Sequence, residues 1–252
     1  MLSKARLPEG LEKMYLVGFN QPMKGSMGRE SLRVLAFHIP SRVTEGKYYV
    51  FGTRGIFNMP LDGVKFPSRL REIYLGHNFN QPIDSIAWPD GLQQLSMPGF
   101  NQPIQDVKWP PGLIRLEFIQ PGELERRAAL DHLPWDRQEW GFDQPLETFL
   151  PMSLETLLLS DNFDQPLRTV TWPSKLSMLG LGAEIPEDSF TAVQWPPTLK
   201  TIVSSDSSFD VRDAPSGCNV LRLEEYDGSD FEEDFSLGPF GELGGSDYEC
   251  DY

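Results

Sequence analysis

Apolar residues recur along this chain in one spacing. In WPDGLQQLSM they are Trp88, Leu92, Leu95 and Met97; in WPSKLSMLGL they are Trp172, Leu176, Leu179 and Leu181. FPSRLREIYL repeats the offsets with Leu70, Ile73 and Leu75, LPEGLEKMYL with Leu11, Met14 and Leu16, and LPMSLETLLL with Leu154, Leu157 and Leu159. The last two apolar positions of each copy are two residues apart, the period of a β-strand with one face buried. The first lies three residues earlier, so it sits at a bend before the strand. Each copy therefore predicts one short strand entered through a proline-containing turn.

A second element, F-N/D-Q-P, follows most of these strands after two or three residues. Phe57 to Phe79 is 22 residues, Phe79 to Phe100 is 21 and Phe142 to Phe163 is 21. A fixed period of this size is the mark of a solenoid, in which each repeat packs only on its neighbours. A coil of ~21 residues is too short for a strand, a helix and two turns. Two prolines per unit also oppose a helix, because proline lacks the amide hydrogen that a helix interior uses. The expected fold is a leucine-rich-repeat-like solenoid over residues 1–226. It has one short parallel β-strand per coil, a mostly extended or 3₁₀ convex side and little α-helix. Weaker copies extend the register: Leu32, Leu35 and Phe37; Phe190, Trp195, Leu199 and Ile202; and Leu221 and Leu223, with Cys218 on a leucine site. The step from Phe100 to Phe142 is 42 residues, which reads as two periods with a degenerate copy at Leu130, Leu133 and Trp135. Nine or ten coils are expected. Insertions interrupt the pattern near residues 41–55, with a hairpin around Tyr48–Phe51, and near 121–140, opening on a short helix at Pro121–Leu130.

The chain resembles the FNIP-repeat family. The motifs that carry the likeness are FNQP at 19–22, 79–82 and 100–103, FDQP at 142–145 and 163–166, and FNMP at 57–60, within a match over roughly residues 7–226. The resemblance implies a leucine-rich-repeat-like unit and protein–protein interaction. Such repeats occur beside F-box or kinase domains, neither of which is recognisable here.

Within the motif, phenylalanines at one coil position should stack into an apolar spine, and the tryptophans of W-P into a second. The Asn should accept hydrogen bonds from backbone groups at the bend. Asp143 and Asp164 replace it in two copies, so accepting is the essential role. A repeated calcium site is the competing reading, but calcium needs converging carboxylates and the copies offer mostly amides.

Net charge is −15, and from Asp227 onward nine acidic residues stand without a Lys or Arg. Nucleic-acid binding through a basic face is disfavoured. The chain shows no apolar run near the roughly 20 residues that span a bilayer, and its start lacks a secretory apolar core. Two cysteines make no disulfide framework, so an intracellular, cytoplasmic location is expected, or an organelle lumen if a targeting segment has been removed. His38, His77 and His132 show no metal-ligand spacing, and no phosphate-binding loop appears. The chain is expected to be no enzyme, with no catalytic residue, metal or cofactor.

The residues between the leucines of each strand should line a concave face. Tyr15, Glu72, Tyr74, Arg115 and Glu117 are the partner-binding candidates there, since Tyr and Arg are enriched at interaction hot spots. Residues 227–252 form an acidic-aromatic tail in which Phe231, Phe235 and Phe240 could dock on a partner with a basic surface. The expected function is a non-enzymatic protein–protein interaction scaffold or subunit of a larger assembly. The alternative, which the resemblance implies, is the substrate-recognition module of a ubiquitin-ligase-type or kinase-associated complex.

Overall fold

Each proline-containing segment closes as a tight turn. The carbonyl of the proline accepts the N–H of the leucine three residues on, at 2.9 Å from Leu92 to Pro89, 3.0 Å from Leu176 to Pro173 and 3.0 Å from Leu199 to Pro196. Proline gives up nothing at this corner, where only its carbonyl is used. Two further turns of the same span complete a coil, as at Phe100 N–H to Met97 O (3.1 Å) and Val107 N–H to Ile104 O (3.2 Å).

In the computed structural model, which describes residues 7–38, 55–119, 141–147, 149–182, 185, 187–204, 209 and 211–222, the strands are short. They are β1 (Lys13–Tyr15), β2 (Gly25–Ser26), β3 (Val34–Ala36), β4 (Val64–Lys65), β5 (Glu72–Tyr74), β6 (Gln94–Ser96), β7 (Arg115–Glu117), β8 (Thr156–Leu158), β9 (Met178–Leu181), β10 (Thr201–Ser204) and β11 (Asn219–Arg222). Nine of them form one sheet in the order β1-β3-β5-β6-β7-β8-β9-β10-β11, every pair parallel. β2 and β4 pair separately, in the segments that return the chain to its next strand. Three 3₁₀ turns, Leu167–Thr169, Glu187–Phe190 and Val211–Asp213, are the only helical segments among the described residues.

The register stacks Leu35, Ile73, Leu95, Leu116, Leu157, Leu179 and Ile202 in one inward column, all fully buried. Behind it the phenylalanines stack as expected. Phe57 lies 6.3 Å from Phe19 and 6.0 Å from Phe79, and Phe142 lies 6.2 Å from both Phe100 and Phe163. Truncating one such buried ring costs on the order of 3–5 kcal/mol. The aromatic residues before the prolines form the second spine, Phe66 on Trp88 at 5.9 Å and Trp172 on Trp195 at 5.5 Å.

The Asn of F-N-Q-P ties each coil to the next. Asn20 Oδ1 accepts the N–H of Asn58 at 3.0 Å, Asn58 Oδ1 that of Asn80 at 3.0 Å, and Asn80 Oδ1 that of Asn101 at 2.8 Å. Asn101 Oδ1 accepts from Asp143 at 3.0 Å, and Asp143 Oδ1 from Asp164 at 3.1 Å. The Gln that follows adds a rung: Gln81, Gln102, Gln144 and Gln165 each donate Nε2 to the preceding coil's Asn or Asp. Backbones approach closely beside this ladder. A Cβ on Gly99 would stand 1.6 Å from His77 O, so only glycine fits.

One expectation is overturned. The 42 residues from Phe100 to Phe142 are a single coil, because the two rings stack directly, Asn101 bonds Asp143, and β7 pairs with β8. The step from Phe19 to Phe57 is likewise one coil, spanned by the Asn20–Asn58 bond. The hairpin, the short helix and the tail expected from the sequence lie outside the described residues.

Candidate interaction surface on the strand sheet

A parallel strand points alternate side chains to opposite faces. While the central residue of each strand enters the core, its two neighbours face outward and build two rows across the sheet. The first row includes Glu72, Gln94, Arg115, Thr156 and Met178, all half-buried. The second row is packed shut over most of the sheet: Ala36, Tyr74, Ser96, Glu117, Leu158 and Val203 are all buried. Strands about 4.8 Å apart press these side chains against each other. Leu158, for example, leans over Gly180, where an added Cβ would meet Leu158 Cδ2 at 2.7 Å. Val34, Ala36 and Tyr74 form a small apolar cluster of their own, separate from the main core.

The row opens at β1. Tyr15 is 48% exposed and Val17, the next outward residue, 42%, with Lys13 exposed beside them. Tyr15 and Val17 are two of the four large apolar side chains that the described residues leave exposed, with Ile56 and Met152.

Of the five strand residues expected to meet a partner, Tyr15 alone is freely presented. Glu72 and Arg115 stand half-buried at the rim. Tyr74 is buried, and its hydroxyl donates to Glu72 Oε2 at 2.9 Å. Glu117 is fully buried and pairs through Oε1 with Arg115 Nε; Gln94 Nε2 also donates to that oxygen, at 3.4 Å. Tyr74 and Glu117 thus lie in the floor of the face, and a group reaches them only where half-buried neighbours such as Gln94 move aside. The reason is lateral packing between strands, which the period-two pattern does not encode. Phe231, Phe235 and Phe240 lie outside the described residues.

Two features of this face have no sequence signal. Ser96 is buried with no partner for its hydroxyl. His38 is also fully buried, with neither ring nitrogen hydrogen-bonded, 6.2 Å from the Tyr74 ring and 6.3 Å from that of His77. Burial, helped by repulsion from His77, lowers its pKa to about 4. Among the described residues no group of three or more His, Cys, Asp or Glu could hold a metal ion, and no helix is long and apolar enough to cross a membrane.

The FNIP Repeat family model matches residues 57–99 and 142–183. Among solved structures, one described as "The crystal structure of CroV588 a novel circular LRR protein structure" aligns at 18% identity with a TM-score of 0.46. The alignment covers 88% of this chain and 38% of that one, so this chain spans well under half of that protein's length. No curated protein matches.

Proposed function

The chain carries FNIP repeats wound into a leucine-rich-repeat-like solenoid, and we propose that it is a non-enzymatic protein-interaction scaffold or assembly subunit. The observation that carries this reading is the open end of the strand face at β1. Tyr15 and Val17 expose large apolar surface there, whereas the equivalents of Tyr15 on β3 and on β5 to β10 are buried. A tyrosine ring beside an exposed valine is what a partner's apolar anchor would cover. The acidic-aromatic tail is the second contact in this reading, drawn to a partner's basic surface through its nine carboxylates.

The test uses the tagged full-length chain as bait, with the bound proteins identified by mass spectrometry. A stoichiometric protein partner is expected. Y15A combined with V17A should lose it while the melting temperature stays within a few degrees. Deleting residues 227–252 should weaken binding and remove most of its salt dependence. Recovery of ligase or kinase components would specify the substrate-recognition form of this function. Retention of the partner by both variants would overturn the assignment of the surface, and failure to recover any stoichiometric protein would overturn the function.

A further inference from the structure

Ser96 and Glu117 face each other across the β6–β7 pair, on the outward side of the sheet. Both are fully buried. Glu117 Oε1 is occupied by Arg115 Nε and Gln94 Nε2. Glu117 Oε2 and Ser96 Oγ have no hydrogen-bond partner, and they are the only side-chain oxygens in that condition among the described residues. A buried polar atom left unmet is costly, and more so where it carries charge. Two such oxygens on adjacent strands therefore make a place where a donor-bearing group gains unusually much.

We infer that this pair is a binding site for a primary alkylammonium group, such as a lysine side chain carries. The inference rests on the interaction-module reading and gives that surface a ligand chemistry. An ammonium has three donors and no acceptor, so it can serve Glu117 Oε2 and Ser96 Oγ together. Guanidinium fits worse, because its paired donors seek both oxygens of a carboxylate and Oε1 is already taken. An anion would meet the Glu117 carboxylate directly. The neighbours suit a methylene stem: Tyr74 adjoins Ser96 on β5, and Leu158 adjoins Glu117 on β8. The charge balance agrees, with Glu72 and Glu117 against Arg115 on this patch. Gln94 is half-buried beside the pair and holds Oε1 only at 3.4 Å, so an ammonium would enter by displacing its side chain while Arg115 keeps Oε1.

The experiment is titration of the full-length chain, followed by NMR and calorimetry, with n-butylammonium chloride and with N-acetyl-lysine methylamide. N-acetyl-arginine methylamide and potassium chloride at matched ionic strength serve as comparators. Saturable binding of the two amines is expected, at least tenfold weaker in E117Q and several-fold weaker in S96A. Tighter binding of butylammonium would point to a free amine as the natural ligand, and tighter binding of the lysine compound to a side chain of a protein partner. The site is overturned if the wild-type chain binds neither amine saturably, if E117Q binds them as well as wild type, or if the arginine compound or potassium binds as tightly. Should E117Q fail to fold, S96A and the wild-type comparison decide. A partner that still co-purifies with a chain unable to bind amines would sink this site and leave the interaction function standing.

Discussion

At the scale of the residue, F-N-Q-P is a joint between coils rather than a recognition word. The side-chain oxygen of Asn101 accepts twice, from Asp143 N–H at 3.0 Å and from Gln144 Nε2 at 2.9 Å. Asp143 does the same for Asp164 and Gln165, so the acceptor alone is required. That much was legible from the sequence, because Asp already stands in for Asn there. The part of Gln was not, since its partner lies one coil away. FNMP supplies the contrast: Met59 cannot donate, and Asn20 Oδ1 receives the Asn58 N–H alone. Asn101→Ala leaves two half-buried donors unmet and should cost about 1–3 kcal/mol. In a chain of this size that lowers the melting temperature by roughly 2–10 °C. Asn101→Asp keeps the acceptor and should stay within about 1 kcal/mol of wild type. Thermal unfolding of the pair decides, and equal losses in both would mean that the ladder oxygen is not what matters.

At the scale of the element, the unit is the coil, and two coils carry an insertion without breaking their contacts to either side. Both place a phenylalanine where the coils of β1, β5, β6, β8 and β9 have Leu or Met. Phe37 stacks on Phe57 at 3.9 Å, and Phe118 on Phe142 at 3.9 Å. That substitution was the available sign that Phe100 and Phe142 bound one coil; a gap of twice the period hid it. Joining Ile119 to Gly141 would restore Phe118-Ile119-Gly141-Phe142, the equivalent of Met97-Pro98-Gly99-Phe100 one coil earlier. Joining His38 to Gly55 would likewise give a step of 22 residues from Phe19 to Phe57, like that from Phe57 to Phe79. Deleting 120–140, or 39–54, should therefore leave a single cooperative denaturant transition with its midpoint little changed. Loss of cooperativity would mean that the inserted residues hold the coils together. The inward strand positions, the turns and both aromatic spines were legible, because each depends on a coil's own residues and a fixed period. The closed outward row was not, because Tyr74, Ser96 and Leu158 are covered by neighbours whose sizes no period reports.

At the scale of the whole molecule, stability should depend on pH through a single buried ring. The histidines, three in this chain, are the side chains whose ordinary pKa falls between pH 7.5 and 5. His38 is the one set apart by burial, with a folded pKa of about 4 against an ordinary value of 6.5. Below 6.5 the unfolded chain takes up a proton that the folded chain refuses, so the unfolded state gains. Stability is therefore full above about pH 6.5 and is lost as the pH falls toward 4, at up to about 1.4 kcal/mol per unit. From pH 7.5 to 5 the expected loss is roughly 2 kcal/mol. The rings nearest to it, Tyr74 and His77, offer no relief: the tyrosine hydroxyl is bonded to Glu72, and a charged His77 deepens the penalty. His38→Leu removes the titration together with two unbonded ring nitrogens. It should match or exceed wild-type stability at pH 7.5 and flatten the decline toward pH 5, with His77 and His132 still present as internal controls. Urea denaturation of both proteins at several pH values across this range measures the difference, and parallel declines would place the acid sensitivity elsewhere in the chain.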